Sequence, residues 1–232
     1  MRRANPVVPV LLSLALMAPV VQAAPRGSPP EISRALGALA KEPGNPRLLT
    51  DAGSQFALRA SDQGYPSDIE DARKYLRQAA KMDPKSAQTV AWMGCLRCIE
   101  AKVRQSKGYV REGLSQMDRA VEMDPNDLLV RLVRGSVEVE VPKEFSRNDQ
   151  GITDLEVLKT AHDRDPQTLS QLRIDPTEVY LKLGKGYRAK GNMDMARAMW
   201  VRAAEGPPGK DRETANRLLE KFGRPAKTAS AK

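Results

Sequence analysis

Cys95 and Cys98 stand three positions apart in Cys95-Leu96-Arg97-Cys98, the one spacing in this chain that suggests disulfide, redox or metal chemistry. Thiol–disulfide exchange uses such a pair at a helix N-terminus that follows a strand. Here Gly94 and Arg97 belong to a helical pattern, so both cysteines fall inside a helix. Covalent haem attachment needs a histidine directly after the second cysteine, where Ile99 stands. Zinc needs further thiolate or imidazole ligands, and His162 is the single histidine. The sequence leaves inert thiols, a local disulfide and, in a poor context, a redox or metal role.

The other reactive side chains point away from catalysis. His162 follows Ala161 at the end of a helical stretch beside Asp163, Arg164 and Asp165, where a solvated imidazole is expected and no cysteine shares the unit. Gly184-Lys185-Gly186 lacks the preceding glycine and the following Ser or Thr of a phosphate loop, and lies within a helix. Met93, Met117, Met123, Met193, Met195 and Met199 read as packing side chains. The expectation is a protein that is not an enzyme, with no metal and no cofactor.

The elements that carry these residues are set by repetition. Asp83-Pro84, Asp124-Pro125 and Asp165-Pro166 recur at an interval of 41 residues, each closing an amphipathic stretch. From each proline to the next small residue of the following helix the step is again constant, ten residues from Pro84 to Gly94 and from Pro125 to Gly135. Apolar residues follow helical spacing, and the β-like alternation from Val137 to Val141 is short and stopped by Pro142. Breaks at Gly64-Tyr65-Pro66, Gly108, Pro142 and Gly191-Asn192 divide each unit into two antiparallel helices.

The last unit carries Tyr180, Leu183-Gly184 and Tyr187 on its first helix, Gly191 at the turn, Ala196, Trp200 and Ala203 on its second, and Pro208 beyond. This resembles the tetratricopeptide repeat (TPR). Weaker marks recur upstream: Ala52-Gly53, Phe56, Ala72, Leu76 and Ala79; Met93-Gly94, Met117 and Ala120; Val133, Gly135, Leu158 and Ala161. The resemblance implies an all-α, right-handed solenoid of antiparallel helix pairs, with about four repeats across residues 46–208. A leading helix within residues 24–45 and a capping helix over 209–223 flank it, and a polar tail of 224–232 is expected to be disordered. The usual period is about 34 residues, so the 41 here carries surplus length. That surplus is expected as longer connections at Ser61 to Ser67, Arg104 to Gly108 and Pro142 to Asp149.

The same resemblance implies a ligand-facing row on the first helices. It comprises Gln88, Ala91, Cys95 and Cys98; Leu129, Leu132, Ser136 and Glu140; and Glu178, Leu181, Lys185 and Arg188. Lys185 and Arg188, one turn apart, would hold a carboxylate or another anion together. The asparagine usual in carboxylate-binding TPRs is missing at the matching positions.

Residues 1–23 read as an export signal: Arg2-Arg3, an apolar run from Val7 to Val21, and Val21-Gln22-Ala23 with small residues at the cleavage positions. Pro9 and Pro19 interrupt the run, which falls short of the roughly 20 residues of a membrane span. Formal charge is +9, and removal of the two leader arginines leaves +7, scattered along the chain. Scattered basic charge favours weak attraction to anionic envelope surfaces, and the sparse aromatics offer no platform for nucleic acid. The expected protein is a periplasmic or secreted scaffold that binds a protein or extended peptide in a concave groove within an envelope complex. The alternative is a periplasmic solute-binding accessory subunit of a transporter.

Overall fold

The computed structural model describes residues 29–223, and every regular element among them is helical. The leader and the tail lie outside the described residues. Helix α1 (Pro30–Lys41) leads into four helix pairs: α2 (Pro46–Gln63) with α3 (Pro66–Met82), α4 (Ala87–Arg104) with α5 (Lys107–Met123), α6 (Leu128–Glu138) with α7 (Asn148–Arg164), and α9 (Pro176–Ala189) with α10 (Met193–Ala204). A short α8 (Gln167–Gln171) separates the last two pairs, and α11 (Lys210–Phe222) closes the stack. The architecture is the expected helical solenoid, pairs packed side by side.

The Asp-Pro marks work as punctuation for a physical reason. A residue before proline is driven out of the helical region, and Asp83, Asp124 and Asp165 take extended conformations with ψ of 86°, 90° and 104°. Their amides still close the preceding helix on the carbonyls of Ala79, Ala120 and Ala161. Each side-chain Oδ1 then accepts the backbone N–H two residues on, at Lys85, Asn126 and Gln167, over 3.1, 3.2 and 3.0 Å. Asn45, Ser86 and Asp127, also 41 residues apart, cap the starts of α2, α4 and α6 through their side chains. The series runs one unit further back than the Asp-Pro marks indicate. Pro43 is 41 residues before Pro84, with Glu42 in the aspartate's place, so α1 ends as the second helix of a unit does. A further dipeptide, Asp175-Pro176, is out of register and opens a helix, Asp175 accepting the Thr177 N–H at 2.8 Å.

The surplus seven residues are mostly not in loops. Helices α2 to α5 run 18, 17, 18 and 17 residues, and only Gly64-Tyr65 and Gln105-Ser106 join the members of each pair. The longer connections expected at Ser61 to Ser67 and Arg104 to Gly108 are therefore absent. Shared between the two helices of a pair, the surplus adds about one turn of 3.6 residues to each, so both apolar stripes are extended nearly in line. The third unit alone has the long connection: α6 stops at Glu138 and residues 139–147 cross to α7 through a 3-10 turn at Lys143–Phe145. After Pro166 the ten-residue step also fails, because α8 intervenes and sinks Leu169 into the core.

One apolar spine runs through the pairs. Trp92 and Cys95 of α4 pack on both the N-terminal and the central cluster. Val130 and Val133 of α6 join the central one, while Leu128, Leu129 and Leu132 face the C-terminal one. Helices approach closely at small residues. A Cβ at Gly184 would lie 2.2 Å from Nε1 of the fully buried Trp200 and 3.0 Å from the Ala196 carbonyl oxygen. Gly184→Ala is therefore expected to lower unfolding stability by about 1–3 kcal/mol through overpacking, despite alanine's better helix propensity. Urea denaturation followed by tryptophan fluorescence checks this, and a midpoint equal to the wild type's would contradict the packing described.

Candidate functional site

The first helices of the units and the closing helix surround one charged space. Glu140, just past α6, accepts from Nζ of Lys182 at 2.7 Å and Nζ of Lys185 at 2.9 Å, both on α9. Lys210, opening α11, pairs with Asp62 near the end of α2 at 2.6 Å, so the last helix touches the first unit. Cys95 of α4 lies within electrostatic range of Lys182, Lys102 and Glu140. Helix length makes the Asp62 contact: a 14-residue α2, the length of α9, would stop short of residue 62.

Charge in this space is strongly coupled. Burial alone would raise the Glu140 carboxyl, but Lys182 and Lys185 outweigh it and hold the group at about 2. Burial likewise works against the Lys182 ammonium, and Glu140 more than offsets it, raising the lysine above its ordinary value. Glu178 and Asp211 are both pushed up, chiefly by burial, with Lys182 pulling the other way. Burial also drives the Cys95 thiol up to about 12 and Cys98 to about 11, which keeps both protonated and poorly nucleophilic at neutral pH.

The expected ligand-facing residues divide into two groups. Cys95, Glu140 and Lys185 come together around the charged space. Gln88 is engaged in holding the stack, donating from Nε2 to Oδ2 of Asp127 at 2.7 Å. Leu132 and Leu181 pack in the C-terminal core, Leu181 only 2% exposed. Ser136 turns its Oγ inward without a hydrogen-bond partner. Cys98, expected toward the groove, faces α5 instead: its Sγ–H points to the Val110 carbonyl at 3.8 Å, and Gly113 leaves room for the sulfur. Both cysteines are free thiols.

Lys185 and Arg188 do not converge on one anion. Lys185 is turned to Glu140, while the exposed Arg188 lies over the Phe222 ring, 5.4 Å from its centroid. Cavities of about 460 and 220 Å3 lie along the second helices, and neither is lined by Lys185 or Arg188. The residues missed from sequence are Lys182, Asp211 and the Asp62–Lys210 pair. Glu178, Lys182 and Lys185 follow i, i+4, i+7 spacing on one helix face, the signal by which Lys182 could have been found. Among the described residues no group of three or more His, Cys, Asp or Glu is placed to hold a metal ion, and no helix is long and apolar enough to cross a membrane.

No family model and no curated protein matches the sequence. Solved structures do match. TTC0263, a thermophilic TPR protein of Thermus thermophilus, shares 19% identity over 82% of this chain and 89% of its own, with a TM-score of 0.56. MamA shares 18% identity over 80% of this chain and 89% of its own, with a TM-score of 0.42. The fold is thus that of a TPR protein, as the repeat marks imply.

The Glu140 pair carries a pH signature. Its carboxyl sits at about 2 in the fold against an ordinary 4.5, so it contributes stability above pH 4.5 that fades as pH falls toward 2. Glu140→Gln is expected to melt below the wild type at neutral pH and to converge with it near pH 2. Thermal unfolding followed by circular dichroism tests this, and a gap that stays constant into acid would remove Glu140 from the account.

Proposed function

We propose that this chain is an exported, non-enzymatic adaptor that holds a protein or an extended peptide segment in its groove, within a complex of the bacterial envelope. The observation that carries this reading is the convergence of α2, α4, α6, α9 and α11 on one charged space. Rigid helices position the groups there, and an extended segment gains affinity from a few such anchors rather than from one enclosed pocket. The Lys182–Glu140–Lys185 triad is exchangeable. A partner carboxylate can take over the lysines, or a partner amine can take Glu140, at little net cost in paired charge.

Export is supported by the leader pattern of residues 1–23, and an envelope setting by the scattered positive charge that remains, which attracts the protein weakly to anionic surfaces. The reading as a small-anion receptor loses its two named ligands, since Lys185 and Arg188 are turned to Glu140 and Phe222.

Affinity recovery from an envelope fraction, comparing the wild type with Lys182→Glu/Lys185→Glu, tests the groove. A partner retained by the wild type and lost from the variant is expected. Recovery unaffected by the double change, with the variant folded by circular dichroism, would overturn it. Export is read separately from the N-terminus of the protein isolated from the periplasm or medium: mass spectrometry should find Ala24 first. A chain still beginning at Met1 inside the cell would defeat that part alone.

A further inference from the structure

Glu138 is the last residue of α6, and it is fully buried. Its Oε1 accepts from Nε of Arg147 at 2.8 Å, while Oε2 has no partner. Room for it is made by Gly151 of α7, where a Cβ would stand 2.9 Å from the Glu138 Cβ. An anion there is poorly placed twice over: it loses water on one oxygen, and it sits at the negative end of the helix dipole.

The loop that follows covers this carboxylate. Residues 139–147 carry Arg147, whose guanidinium bridges Glu138 of α6 and Asp118 of α5. Lys107, Arg111 and Asp118 of α5, with Glu144, Phe145 and Arg147 of the loop, line the cavity of about 460 Å3 between them. The groups facing Glu138 come from every packed element. Asp118 on α5 also accepts from Gln150 of α7 and Arg134 of α6, each at 3.2 Å. Arg134 in turn holds Asp154 of α7, which also accepts from Arg131. Cys98 of α4 lies within electrostatic range of the carboxyl. His162, the sole histidine, packs against Tyr180 elsewhere on α7.

We propose that Glu138 is a pH-sensitive switch beneath the α6–α7 loop: as a neutral acid it lies quietly under the closed loop, and as a carboxylate it drives the loop open to reach water. Arg147 opposes opening, so the outcome depends on which effect is larger. Burial wins, pushing the Glu138 carboxyl up to about 7 against the pull of Arg147 and Arg134. The sign follows. The closed form binds the proton more tightly than an exposed carboxyl of ordinary value 4.5, so a rise in pH between 4.5 and 7 favours the open form, and above 7 the response levels. Val141 and Phe145 of the loop pack on the central core and Val139 on the C-terminal one, and opening has to release such contacts.

Hydrogen–deuterium exchange of the full chain tests the switch. After correction for intrinsic exchange chemistry, amides of residues 139–147 in the wild type should open up to about tenfold more per pH unit toward pH 7, then level. Glu138→Gln, a permanent neutral form, should keep the closed, low-pH exchange throughout. A flat wild-type profile, or the same rise in Glu138→Gln, overturns the proposal. Should that variant not fold, Arg147→Gln serves: loss of the counter-charge should move the levelling point to higher pH, and an unmoved midpoint is equally fatal.

Discussion

A helix with one apolar stripe can cover it only against other helices, and in this chain that constraint governs length as well as residue type. An insertion that rotates the stripe strips the core from every later contact. About one whole turn added to each helix rotates it little. The 41-residue interval is therefore the shorter unit lengthened in phase, and α2 to α5 show the added turns as continuous helix. The groove inherits the consequence: longer first helices give deeper walls, and they carry Asp62 far enough to meet Lys210.

The third unit obeys the same constraint by a different route. Its first helix stops after 11 residues, and the remaining length becomes the 139–147 connection. Stopping there buries ionisable groups in one seam: Arg131, Arg134 and Arg147 meet Asp118, Asp154 and, once it has lost its proton, Glu138. Such a network contributes little net stability, because desolvation consumes most of the Coulombic gain. It does fix partners geometrically, since each arginine fork matches only certain carboxylates at that seam. The seam between the second and third units is thus ionic, as is that between the first and second at Arg73 and Glu100, while within a pair the fit is steric, as at Gly184 against Trp200.

What could be read in the sequence follows from how local each interaction is. Asp83-Pro84 declares a helix end by itself, because its conformation and its side-chain hydrogen bond both involve neighbours in sequence. The helix pairs and small contact residues were legible for the same reason. The placement of the surplus was not: an in-phase pair of turns and a loop of equal length give the same interval. Pro43 was hidden because Glu42 stands where the other units have Asp. The candidate site was the least legible, since Lys182 finds Glu140 42 positions away and Lys210 finds Asp62 across the whole solenoid. Cys98 was misplaced because α5 approaches so closely at Gly113 that the thiol belongs to the pair interface.

Glu138 and Glu140 show how finely environment divides two identical side chains. They are two residues apart at the end of α6, and two residues on a helix point roughly 200° apart. One consequently enters the seam under the loop, the other the groove. In the seam, burial prevails over Arg147 and the acid is driven up to about 7. In the groove, burial is overcome by Lys182 and Lys185 and the acid is held at about 2. The difference lies in the number and freedom of cations. Arg147 and Arg134 are already shared with Asp118 and Asp154, whereas both lysines close on Glu140. The end of α6 therefore places a proton-exchanging acid and a permanently charged anchor on opposite faces of one turn, and ties the outer loop to the same backbone that lines the groove.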